Sequence, residues 1–274
     1  MAVLFKRRWV MAFVGVVACG VLATTVFGGH SWGNYHWART ANPFTLKVGD
    51  NVNSTWDPYL DEAVRDWNPS VMLDLLKVTG GTAPKTCRPT SGRIEVCNAS
   101  YGGTGWLGIA QIWLSGSHIT QAVAKMNDTY FNTATYNKPE WRRLVMCQEV
   151  AHDFGLGHQD ETFNNPNLGS CMDYTNNPLG PPSNEHPNQH DFDQLVTIYT
   201  PTDSTTTISS STAGAAHPPA MQNMDFTSKA TWGKVVAKSK NGLGEVYEQD
   251  FGAGHRVITH VFWAQGEDRG NPKE

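Results

Sequence analysis

Hydrophobic and polar residues alternate through Phe44-Thr45-Leu46-Lys47-Val48, the period of a half-buried strand. This predicts a strand over Phe44 to Val52 that closes at Gly49-Asp50-Asn51. The period then becomes helical. Leu60, Ala63, Val64 and Trp67 share one face of a helix opened by Pro58, with Asp57 as its N-cap and Asn68-Pro69 as its stop. Three short strand-like runs follow, Met72 to Val78, Arg93 to Val96 and Leu107 to Leu114, parted by Gly, Pro, Ser and Thr clusters. Ile119 to Phe131 holds no clear period and is expected to be irregular. Trp141, Leu144, Val145 and Gln148 step along one side of a helix from about Lys138-Pro139-Glu140 to Phe154, where Gly155 ends it. A last helix opens at Asn188, with Asp191 three residues on, and carries Phe192, Leu195, Val196 and Ile198.

Beyond that helix the composition changes. Residues 201–220, with Ser204-Thr205-Thr206-Thr207 and Ser209-Ser210-Ser211-Thr212, lack the apolar content of a core and read as an exposed linker rich in Ser, Thr, Pro and Ala. Residues 221–274 read as a small β-meander. Its strands are Trp232 to Ala237, Glu245 to Gln249 and Arg256 to Trp263, and its turns lie at Asn241-Gly242 and Gly252-Ala253-Gly254. At the other end, Lys6-Arg7-Arg8 precedes an apolar stretch from Trp9 to Phe27 and then Gly28-Gly29. Residues 1–28 therefore read as a secretory signal, with an uncleaved membrane anchor facing outside as the alternative. The expected organisation is signal 1–28, main domain 29–200, linker 201–220 and terminal module 221–274.

With 274 residues, two domains is the upper limit. The formal charge of -4, with no basic run after Arg8, argues against a nucleic-acid partner. Loss of the first segment removes Cys19 and leaves Cys87, Cys97, Cys147 and Cys171, an even number suited to an oxidising, extracellular compartment. Neighbourhood pairs Cys87 with Cys97 and Cys147 with Cys171, one of three connectivities open to four cysteines. Asn53, Asn98 and Asn127 each begin a glycosylation sequon.

The chemistry concentrates in Gln148-Glu149-Val150-Ala151-His152-Asp153-Phe154-Gly155-Leu156-Gly157-His158. Residues four apart share a helix face, so Gln148 and His152 can converge on one point with Glu149 beside it. Gly155 can leave the helix at positive φ, and His158 can swing back toward the same centre. A lone histidine is by default a surface or hydrogen-bonded residue, which is the expectation for His30, His36, His118, His186, His190, His217, His255 and His260. His152 and His158 escape that default because of their pattern.

That segment resembles the metzincin signature His-Glu-x-x-His-x-x-Gly-x-x-His, matched by Glu149, His152, Gly155 and His158 and departing from it at Gln148. Ser170-Cys171-Met172-Asp173-Tyr174 resembles the family's Met-turn, in which Met172 would underlie the metal. The resemblance spans roughly Phe44 to Thr200 and covers the matrixin, astacin and serralysin branches. It implies an α+β domain with a twisted mixed sheet, an active-site helix, a Met-turn and a C-terminal helix, followed by the β-meander outside it. It also implies a secreted zinc endopeptidase, acting as a monomer on extended polypeptide. In that reading His152 and His158 are zinc ligands and Glu149 is the general base. The astacin and serralysin branches imply a role for Tyr174 near the metal, donating a hydrogen bond to the developing oxyanion. Zinc is the expected ion, with calcium a secondary candidate.

Gln148 leaves the ligand set open, because a neutral amide oxygen is a poorer zinc donor than imidazole. Gln148 binds weakly through its oxygen; or Tyr174, Asp160, His186 or His190 completes the set; or no metal binds. In the last case the chain is a pseudopeptidase that binds a polypeptide or a surface. Trp106 to Leu114 resembles in position the edge strand along which an extended peptide lies, a plain buried strand being the equal alternative. A bridge between Cys147 and Cys171 would brace the helix against the turn. His30 to Pro43 is too short for a folded prodomain, so latency through a segment such as His30 to His36 stays open.

Overall fold

The computed structural model describes residues 29–208 and 217–266. The expected signal or anchor, residues 1–28, and residues 209–216 of the expected linker lie outside the described residues. The described elements are strands β1 (His36–Trp37), β2 (Phe44–Asn51), β3 (Leu73–Thr79), β4 (Ile94–Ala99), β5 (Trp106–Ser115), β6 (His118–Asn127), β7 (Lys234–Lys238), β8 (Gly244–Asp250) and β9 (His255–Trp263). The helices are α1 (Asp57–Trp67), α2 (Asp128–Phe131), α3 (Pro139–His152), α4 (Gln189–Tyr199) and α5 (Pro219–Asn223).

The strands form one mixed sheet in the order β3-β2-β4-β6-β5-β9-β8-β7, with β1 added to β6. From β3 to β6 neighbouring strands are parallel; from β6 to β7 they are antiparallel. The expected irregular run from Ile119 is mostly strand. β6 is buried between β4 and β5, and packing on both sides replaces the alternation that a half-exposed strand would show. Two helix caps also separate expectation from structure. Asn188 and Asp191 form the anticipated capping box of α4, whereas α1 starts at Asp57 itself, with Trp56 as its N-cap and no side-chain cap.

The larger correction concerns the C-terminal strands, expected to form a module of their own. β9 pairs with β5 from Ser115↔His255 to Trp106↔Trp263, so the terminal strands continue the main sheet. β5 is consequently interior and buried from Trp106 to Leu114, not an edge available to a peptide. The two faces of β9 join different clusters. Ile258 and Phe262 pack into the main core with Leu144, Val145 and Val150 of α3, while Val261 and Trp263 pack with Trp106, Ile109 and Trp232.

The start of the expected linker is also anchored. Asp203 ion-pairs with Arg39 at 2.8 Å and with His36 and His118 at 3.3 and 3.2 Å. The Thr207 amide donates to the carbonyl of Ala38, and the Thr207 hydroxyl accepts from the Ala38 amide. Low apolar content concealed this attachment, which is polar.

Helix α3 is buried on nearly every side: from Trp141 to His152 only Arg143 reaches solvent appreciably, where it pairs with Glu62 and Glu185, each at 2.9 Å. Cys87 is bonded to Cys97, and Cys147 to Cys171. The second bridge ties α3 to the turn holding Met172.

Removal of β9 would leave the β5 main chain without its partner and expose Ile109 and Trp113. A chain ending at Thr200 is therefore expected to lose its cooperative thermal transition in differential scanning calorimetry. A sharp transition in that shortened chain would show that the sheet closes without β9.

Candidate metal centre

The end of α3 sets the centre. Gly155 has φ 96°, and a Cβ there would stand 2.3 Å from the carbonyl oxygen of Tyr35, so both conformation and space require glycine. The chain folds back, and Nδ1 of His152 lies 2.7 Å from the carbonyl oxygen of Leu156. A carbonyl only accepts, so Nδ1 of His152 carries the proton and Nε2 presents its lone pair. Nδ1 of His158 likewise faces the carboxylate of Glu161 at 3.5 Å.

The two Nε2 atoms then meet at 3.1 Å. At that separation the two nitrogens share either a proton or a cation. The N···N edge of a tetrahedral site with zinc–nitrogen bonds near 2.0–2.1 Å is about 3.3 Å. Burial pushes the imidazoles of His152 and His158 below the usual histidine range, which keeps them neutral as metal ligands must be.

A third histidine joins them that the sequence reading assigned to the default class. His260, on β9, places a ring nitrogen within 4.8 Å of those of His152 and His158. Its ring centroid is 3.9 Å from that of His152 and 4.6 Å from that of His158. Burial lowers its pKa too. The one sign of it in the sequence is a polar residue between Ile258 and Phe262 in an otherwise apolar row. No spacing relates it to the signature, because strand pairing alone brings it there.

Glu149 is fully buried, and neither of its carboxylate oxygens has a hydrogen-bond partner; the nearest basic atom is Nδ1 of His260, 3.8 Å from Oε2. Burial drives the Glu149 carboxyl well above the usual carboxylate range, so a nearby cation is needed to hold it ionised at neutral pH. Two glycines allow the close approach. A Cβ on Gly108 of β5 would stand 2.6 Å from Oε1 of Glu149 and from a methyl of Val145, and a Cβ on Gly244 of β8 would stand 2.2 Å from the hydroxyl of Tyr174. That hydroxyl lies 3.2 Å from Nε2 of His260, and burial raises its pKa so that it keeps its proton.

Gln148 points its amide elsewhere. Its Nε2 donates to the carbonyl of Cys171 at 2.8 Å, while Oε1 is buried without a partner. Met172 is fully buried in the core, on a turn closed by its amide donating to Oγ of Ser170 at 2.8 Å. The amide of Tyr174 donates to Asp160, which stitches that turn to the loop after His158. Of the other candidates for the third ligand, Tyr174 stands at the cluster with its ring 4.0 Å from that of His158, and the remaining three are engaged apart from it. The Asp160 carboxylate accepts from Thr162 and Asn165, His186 pairs with Asp66 at 2.6 Å, and His190 stacks on His30.

A cavity of about 440 Å³ opens beside the cluster, lined by Trp32, Tyr35, Val236, Val246 and Ile258 among others. Its floor includes His152, His158 and His260. The segment His30 to Tyr35 is strapped over this region by Trp32 donating to the Gly155 carbonyl at 2.7 Å and Gly157 donating to His30 at 2.5 Å.

No protein-family model and no curated protein matches the sequence. Among solved structures the chain is similar to high choriolytic enzyme 1, a hatching enzyme zinc-protease from Oryzias latipes, the medaka fish. The likeness has 13% sequence identity and a TM-score of 0.35, and covers 60% of this chain and 94% of that one. A likeness at that level leaves the chemistry to be read from this chain's own residues.

Gly108→Ala is expected to destabilise the protein by about 1–3 kcal/mol, since the added methyl must displace Glu149 and Val145. Urea denaturation measures this, and a midpoint unchanged from wild type would show that α3 can move off β5 without cost.

Proposed function

We propose that the protein is a zinc-dependent peptide hydrolase in which His152 and His158 hold the metal and Glu149 is the general base. The observation that carries this reading is the pair of buried Nε2 atoms of His152 and His158, 3.1 Å apart beside a buried carboxylate with no hydrogen-bond partner. Zinc held by imidazoles with one position open lowers the pKa of water to about 7 and polarises a carbonyl.

Glu149 takes the proton from the attacking water and delivers it to the departing amine. Tyr174, kept as a phenol by its burial, donates a hydrogen bond to the oxygen on which negative charge develops. Gly155 turns the chain so that His158 returns to His152, and the Met172 turn is fastened to the loop after His158. Trp32, whose ring packs 5.5 Å from His152 and 5.8 Å from His260, limits access of bulk water. Because β9 occupies the flank of β5, the substrate approaches through the cavity lined by Trp32 and Val246 and does not add as a strand to β5. Two disulfides suit a protein that works outside the cell.

A second reading is favoured by the complete burial of Glu149 and by the covered flank of β5: a metal-containing protein that binds polypeptide without cutting it. One comparison separates the two. Glu149→Gln is expected to keep the zinc content of wild type while lowering cleavage of casein or a quenched peptide library by about 10²–10⁴-fold. Equal cleavage by the variant would remove Glu149 from the mechanism, and stoichiometric zinc with no cleavage by wild type would select the binding protein.

A further inference from the structure

We propose that His260, on the C-terminal strand β9, is the third protein ligand of the metal and takes the role that Gln148 cannot fill. This inference rests on the reading of His152 and His158 as metal ligands and deepens it. Zinc in a catalytic site takes three protein ligands and keeps one position open, so two imidazoles leave it one short.

Four observations select His260 over its competitors. Its ring nitrogen is within 4.8 Å of those of both other histidines, and closing that gap to a tetrahedral edge of about 3.3 Å needs a shift of at most about 1.5 Å, within side-chain adjustment. Its Nδ1 is buried with no hydrogen-bond partner, an unexplained cost unless the ring has another task. The Tyr174 hydroxyl stands 3.2 Å from Nε2 and the Glu149 carboxylate 3.8 Å from Nδ1, so whichever nitrogen faces the metal the other has an outer partner nearby. Gln148, by contrast, has its amide nitrogen committed to Cys171, and what remains is a neutral oxygen, a weaker donor than imidazole.

The backbone explains why a strand so distant in sequence can serve. β9 is paired on both sides, with His260 opposite Ala110 of β5 and Val246 of β8. Side chains alternate along a strand, so His260 projects to the same face as Ile258 and Phe262, the face against which α3 packs. A one-residue slip would turn His260 to the opposite face and bring Thr259 or Val261 inward. The register of β9 is thus part of the metal site, and the donor lost from the helix is restored from the sheet.

The test uses the full folded protein. Zinc-edge X-ray absorption on wild type is expected to count three imidazoles; two would overturn the inference. In competition with a chromophoric chelator, His260→Ala is expected to weaken zinc binding more than a hundredfold. Any smaller loss is what an outer partner gives and would overturn it. Should His260→Ala fail to fold, as judged by circular dichroism, the imidazole count on wild type decides alone. The ligand and the activity fail separately: three imidazoles without peptide cleavage leave His260 in place and remove the hydrolase, whereas two imidazoles with cleavage do the reverse. A wild-type protein that takes up no zinc overturns both.

Discussion

Between Trp106 and Ser115, β5 gives its outer hydrogen-bonding side to β9, and that antiparallel register decides where His260 stands against the helix that carries Glu149 and His152. Main-chain pairing is insensitive to side-chain identity, but alternation makes it strict about phase: one residue of slip exchanges the two faces of a strand. In this phase Ile258 and Phe262 enter the core beneath α3, and His260 arrives between them facing the helix. Val261 and Trp263 enter a separate cluster with Trp106 and Trp232, which secures the same phase from the other face.

The helix must then come close enough to use it. Burial of α3 on almost all sides gives its last turns little freedom, and the two glycines of the sheet, Gly108 and Gly244, admit Glu149 and the Tyr174 hydroxyl into space a methyl would fill. Cys147 bonded to Cys171, with Gln148 donating to the Cys171 carbonyl, fixes the turn of Met172 against the same helix. Gln148 thus serves as a structural link.

Buried polar groups are affordable only when satisfied. The centre contains a carboxylate without hydrogen bonds and imidazoles whose nitrogens converge, an arrangement that a cation would satisfy. At two other carboxylates the chain meets the same requirement with its own groups. Asp203 collects Arg39, His36 and His118, and Asp191 accepts from Ser170, Asn188 and Gln159. Asp153, one residue after His152, is likewise buried with both carboxylate oxygens unpartnered, so what sets the centre apart is the convergence of three histidines beside Glu149 and not the open carboxylate alone.

Much of this was legible locally. The period of three to four residues marked α1, α3 and α4, the Asn188–Asp191 box marked the start of α4, and Gly155 marked the end of α3, because each depends on neighbours within a turn or two. Glu149, His152 and His158 were readable for the same reason, as were the cysteine pairs, each close in sequence. The strands buried on both faces were harder: β6 shows no alternation because neither face meets water. Attachment of residues 201–208 was hidden because it is made by polar groups whose partners lie some 160 residues away. By itself the sequence pointed to a helix carrying Glu149 and His152, with His158 returning toward it after Gly155. Only the tertiary structure decided that the C-terminal strands close the sheet and deliver His260, since strand pairing over such a distance leaves no periodic trace in the chain.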